Sequence, residues 1–220
     1  MINSFFISPN KYEEDLNDID LNFASNYSAE FLSIPPMVES FWELIHNNAE
    51  ENWHNNENDR IVPSQKQFVE YYFSEYRDQF KDYSDDKKEG IRARVLKTYP
   101  SFVRESHFIS QVQQIAAQKE ITSTLLIASS SLDLGMGTDL AMQFMGHSFS
   151  LNITKTDNNI DWRAIKVKRK SDVDTPNDIT VIATKNNTFE VGEGDKLLWL
   201  FKEKVAQNTI EKCVKKARKW

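Results

Sequence analysis

The stretch DLAMQFMGHSFSLNIT, residues 139–154, sets a carboxylate at the mouth of a β-hairpin, with side-chain oxygens on the returning strand. Successive side chains of a strand alternate between faces, so Leu140, Met142 and Phe144 share one face and Asp139, Ala141 and Gln143 the other. On the returning strand Phe149, Leu151 and Ile153 alternate with Ser148, Ser150, Asn152 and Thr154. A two-residue turn at Gly146-His147 sets Met145 against Ser148. Counting outward then pairs Phe144 with Phe149, Ala141 with Asn152 and Asp139 with Thr154. One face is apolar, and the other gathers Asp139, Asn152 and Thr154 at one end. Oxygens so gathered suit Mg²⁺, which needs only one or two carboxylates, completed by water and phosphate. Asp133, upstream and on a candidate neighbouring strand, is a second acid for the same ion. Such an ion would neutralise developing charge and sharpen an attacking water in phosphodiester cleavage, with a cation on the nonbridging oxygens.

Residues 155–170 carry six basic side chains against Asp157 and Asp161. Arg163, Lys166 and Lys170 recur at i, i+3 and i+7, one stripe of a helix that buries Trp162 and Ile165. Three roles stay open for that stripe: a lysine aimed at the metal centre, a phosphate clamp, or a solvated basic face. Arg163, Lys168 and Arg169 are the candidates for nucleic-acid contact. Lys155 falls on the wrong face by alternation. Upstream, Glu105 shares the flank of Phe108, Ile109 and Val112. A carboxylate at the rim of an apolar face needs a reason: a salt bridge to Arg104 or another cation, or a contact to the metal. His107, without a nearby histidine or cysteine, reads as structural.

An acid opening one strand, a hairpin, a second strand with a short polar triplet and a basic helix behind it together resemble the core of the PD-(D/E)XK nuclease superfamily. That superfamily includes many type II restriction endonucleases. The resemblance spans residues 99–185 and implies an α/β fold with a restriction-endonuclease-like core: helix, three antiparallel strands, helix, strand. It puts the superfamily's aspartate on Asp139 and its acid-x-lysine triplet on Asn152, Ile153 and Thr154. There the chain departs from the pattern, with an amide for the acid and a hydroxyl for the lysine. Divergent members carry the lysine on the following helix, which here offers Lys166 and Lys170. Glu105 resembles the additional helical acid of many such nucleases. The implied activity is that of a Mg²⁺-dependent, or Mn²⁺-dependent, endonuclease on double-stranded DNA, with a homodimer to cut both strands. A nuclease fold without catalysis, binding nucleic acid or a protein, is the alternative to which the Asn-x-Thr triplet points.

The 220 residues suit one domain with an appendage, or two small ones. Hydrophobic residues make up 40% and aromatics 12%, a globular balance. No apolar run approaches the roughly 18–20 residues of a membrane span, and no signal-peptide pattern opens the chain, so a cytoplasmic location is expected. The single cysteine, Cys213, forbids an internal disulfide and any cysteine-rich zinc site. Net charge is −6, but residues 1–60 hold twelve Asp or Glu against Lys11 and Arg60. The remainder, residues 61–220, therefore carries +4. Residues 202–220 hold seven basic side chains against Glu203 and Glu211. Polyanion binding follows the local field, so DNA stays compatible with the composition.

Three segments follow. Residues 1–60 form an acidic, partly helical N-terminal region, with a helix starting after Pro35-Pro36 whose stripe is Met37, Phe41, Leu44 and Ile45. Residues 61–98 are helical: Ser64 to Gln67 form a capping box, followed by Phe68, Tyr71, Tyr72, Tyr76, Phe80 and Tyr83 at helical spacing, a core stripe or a stacking surface. A second helix starts at Ser84. Residues 99–220 hold the nuclease-like core and a C-terminal helix: Pro100 opens a third helix with Phe102, Ile109, Val112 and Ala116 buried, TLLIASSSL is a strand, and DITVIATK the fourth core strand. Asn186-Asn187 turns the chain into TFEV, and Asp195 caps a last helix of roughly six turns. No glycine-rich phosphate loop, serine-hydrolase elbow or metalloprotease histidine pair occurs.

Overall fold

The computed structural model of the chain describes residues 7–17, 19, 21, 34–55, 60–121, 123–127, 140–155, 178–192 and 197–218. Among these lie helices α1 (Pro9–Leu16), α2 (Met37–Asn55), α3 (Gln65–Glu75), α4 (Arg77–Phe80) and α5 (Asp85–Gln118). Strands β1 (Ser123–Ile127), β2 (Leu140–Phe144), β3 (His147–Lys155), β4 (Asp178–Ala183), β5 (Thr188–Val191) and β6 (Leu198–Phe201) follow, then α6 (Glu203–Ala217). The mixed α/β class expected from the pattern is what the chain adopts. It divides into two compact units: one of residues 1–9, 107–189 and 200–220, the other of residues 10–106 and 190–199. None of the described helices is long and apolar enough to cross a membrane.

The helical unit is built from α1 to α4 and the first part of α5. The capping box is present: Ser64 Oγ accepts from the Gln67 amide at 3.2 Å, and Gln67 Oε1 accepts from the Ser64 amide at 2.8 Å. Phe41, Phe68 and Tyr99 are fully buried, with Phe41 and Phe68 edge to face at 5.2 Å and Phe102 at 5.5 Å from Phe41. The aromatic stripe is core at Phe68, Tyr72 and Phe80, and half-exposed at Tyr71, Tyr76 and Tyr83. The acidic N-terminal region contributes to the same core through Tyr12, Leu16, Leu21 and Phe41.

Two helices were expected on either side of Pro100, and instead α5 runs through it as one helix of 34 residues. An interior proline removes the donor to the carbonyl four residues back and costs about 3 kcal/mol. Here that carbonyl belongs to Leu96, and it accepts the Gln65 Nε2 amide at 2.8 Å. Gln65, 2% exposed, supplies from α3 the donor that Pro100 lacks. Gln65→Leu should therefore cost about 1–3 kcal/mol in urea denaturation, the cost of a buried acceptor left bare. In a Pro100→Ala background the same change should cost under about 1 kcal/mol, since the restored amide takes over. Equal costs in both backgrounds would refute the coupling.

The other unit centres on a four-stranded sheet in the order β1-β2-β3-β4. β1–β2 and β2–β3 are antiparallel and β3–β4 is parallel. The hairpin turn falls on Met145-Gly146, with φ of 51° and 82°, rather than on Gly146-His147. Positive φ at both central residues is the turn whose twist matches paired strands. Phe144 consequently meets His147, Met142 meets Phe149 and Ala141 meets Ser150. The expected partners Phe149 for Phe144 and Asn152 for Ala141 are two residues off. A shift of two preserves the faces: Met142, Phe144, Phe149, Leu151 and Ile153 are all buried, and Gln143 and Ser148 exposed.

At the C-terminal end the expected helix from Asp195 is replaced by β6 and a shorter α6 of 15 residues. Leu198, Leu200 and Phe201 are buried, and so continuous an apolar run leaves a helix no polar face. β5 and β6 form a two-stranded sheet. α6 packs on β2 and β4, and its buried residues are Ala206, Thr209, Ile210, Cys213 and Ala217. Asn187 ties the expected turn: its Oδ1 accepts from the Thr184 amide at 2.7 Å and its Nδ2 donates to Ile182 O at 2.6 Å.

Candidate functional site

Of the residues singled out for chemistry, Asn152 and Glu105 lie within the described residues. Asn152 sits mid-strand on β3, itself flanked by β2 and β4, and its backbone pairs with Thr180 across the parallel ladder. Asp139, Asp133, Arg163, Lys166, Lys168, Arg169 and Lys170 fall outside the described residues, as does the expected pairing of Asp139 with Thr154. Among the described residues no group of three His, Cys, Asp or Glu gathers. The ion implied by the resemblance would have its donors at Asp139 and Asp133.

Glu105 stands on α5 in the helical unit, whereas β1 to β4 belong to the other. It is half-buried between buried Arg104 and Ser106. Arg104 Nε donates to Trp199 O at 2.8 Å. Burial pulls the Arg104 guanidinium below its ordinary pKa, and the Glu105 charge works against that pull. His107 is fully buried, with its ring edge-on to Phe189 at 6.0 Å, as a structural histidine is. Burial pushes the Cys213 thiol up to about 12, so it is neutral at physiological pH and packs as a small apolar group.

The charge that the described residues do concentrate lies along α6. A cavity of about 320 Å³ opens between this helix and the β4–β5 turn. Lys202, Lys204 and Lys212 line it with Asn186, Asn208 and the edge of β4 at Ile182, and no carboxylate is among its described lining. Lys202 Nζ donates to Asn186 O at 3.1 Å across the mouth. The charge count had marked residues 202–220 as basic. It could not show that Lys204 and Lys212 share a groove with a turn from another part of the chain, because no sequence spacing links them. No family model matches the chain, and neither does any curated protein or solved structure.

Proposed function

We propose that the chain is a Mg²⁺-dependent DNA endonuclease with a restriction-endonuclease-like core, hydrolysing phosphodiester bonds of double-stranded DNA. The observation that carries this reading is the strand plan: three antiparallel strands followed by a fourth parallel to the third. A parallel neighbour requires a crossover, most often a helix. The connection available is residues 156–177, the stretch whose basic spacing reads as a helix. That gives the order helix, three strands, crossover, strand. In this reading Asp139 and Asp133 hold the ion, Asn152 adds a neutral oxygen, and Lys166 or Lys170 takes the place of the triplet's lysine. The metal, when bound, neutralises phosphate charge and lowers the pKa of the attacking water. Mn²⁺ would serve the same donors.

Incubation of the protein with mixed-sequence duplex DNA in Mg²⁺, against a parallel sample in chelator, tests the reading. Cleavage confined to the metal-containing sample is the expected result. A second reading, a nuclease fold that binds nucleic acid without cutting it, draws on Asn152-Ile153-Thr154 in place of an acid-x-lysine triplet. Salt-dependent duplex binding with intact DNA in both Mg²⁺ and Mn²⁺ would select it.

A further inference from the structure

The groove between α6 and the β4–β5 turn has an electrostatic character that the metal centre does not explain. Lys204 and Lys212 are exposed and make no ion pair among the described residues. Glu203, next to Lys204, accepts from Gln207 Nε2 at 2.9 Å on its own helix, and Glu211, next to Lys212, lines a different cavity with Ile121 and Val214. Lys204, Asn208 and Lys212 recur every fourth residue and all line the cavity. Eight residues of helix separate the two lysines by about 12 Å along the axis at ~1.5 Å per residue. A span of that length suits several phosphates better than one. One strand of a duplex carries a phosphate every ~3.4 Å of axis, so four or five consecutive phosphates match it. Asn187 has both amide atoms occupied by its own turn, which leaves exposed Asn186 and Asn208 as neutral donors in the groove, Asn208 lying between the two lysines on the helix. The apolar edge of β4 and Val205 behind these cations displaces water and strengthens their field.

We propose that this groove holds consecutive backbone phosphates of a nucleic-acid strand, at a site separate from the Asp139 centre in sequence and in chemistry. The assignment rests on the nucleic-acid reading given above. It makes α6 a sequence-independent clamp: affinity from phosphate, register from the spacing of its lysines.

Fluorescence anisotropy of a labelled mixed-sequence duplex, titrated with salt in chelator so that nothing is cut, tests it. Each phosphate contact adds a slope of about −0.9 to log K against log salt. Lys204→Gln with Lys212→Gln should make the slope shallower by about 1.8 and weaken binding roughly tenfold or more at 0.1 M salt. The double arginine variant should keep the wild-type slope. Lys66→Gln, at an exposed lysine of the other unit, should change neither quantity. Inorganic phosphate at matched ionic strength should not displace the duplex. If the glutamine variant keeps the wild-type slope while the wild type binds, or if inorganic phosphate competes, the groove assignment is wrong and the nuclease reading stands. If the wild type shows no salt-dependent duplex affinity, both fall.

Discussion

Asp139→Ala is expected to reduce Mg²⁺-dependent cleavage of duplex DNA on the order of a thousandfold. Binding in chelator should stay within about twofold of wild type. The size follows from what the carboxylate is proposed to do. A metal ion contributes several kcal/mol of charge stabilisation in the transition state, and ~4 kcal/mol is a thousandfold in rate. Asp133 alone would leave a weaker site, so higher Mn²⁺ should restore part of the rate. Single-turnover cleavage across a metal titration measures this. A variant that cuts at the wild-type rate would remove Asp139 from the mechanism, whatever the rest of the protein does.

The largest expected effect on folding belongs to Asp15. Its side chain is buried, and Oδ2 accepts the Ile61 and Val62 amides at 2.9 Å each. Lys11 Nζ lies 2.9 Å from Oδ1, and the Asp15 carbonyl accepts from Arg60. One short acidic side chain thus fastens α1 to a segment far along the chain. Asp15→Ala strands two backbone donors, with Val62 fully buried, and removes one ion-pair partner of Lys11. Breaking such a group from one side should cost about 3–5 kcal/mol. At about 2–4 °C per kcal/mol for a chain of this size, the melting midpoint should fall on the order of 10 °C. Asp15→Asn keeps one acceptor oxygen and should lose less. A change in midpoint of under about 2 °C for the alanine variant would mean that water replaces the carboxylate, and the fastening role would be lost.

Local periodicity was enough to read the faces of the hairpin, the capping box at Ser64, the helix after Pro35-Pro36 and the Asn186-Asn187 turn. Each depends on neighbours within a few residues. The turn itself was misplaced by one residue because both Gly146-His147 and Met145-Gly146 contain the glycine. Methionine is an unpromising candidate for positive φ, yet Met145 adopts it and is 46% exposed there. Pro100 was read as a helix start because proline fits that position locally. Inside the helix, the Leu96 carbonyl that it leaves without a main-chain donor is satisfied by a side chain from α3, a contact invisible to spacing. Leu198–Phe201 was absorbed into a helix for the same kind of reason, since a buried strand and a buried helical turn share one composition. For the site, the sequence offers candidate ligands and cations by type, of which Asn152 and Glu105 alone lie within the described residues, while the groove beside α6 depends on a turn that folds back to meet it.

The contact between Gln65 and the Leu96 carbonyl also bears on how this protein can drift. Replacing Gln65 while Pro100 is present strips a buried oxygen of its donor. Replacing Pro100 first restores that donor from the main chain and leaves Gln65 free to vary. Related chains should therefore include those lacking both residues and those keeping the glutamine alone, but few with the proline alone, since the neutral route passes through the chain that keeps the glutamine.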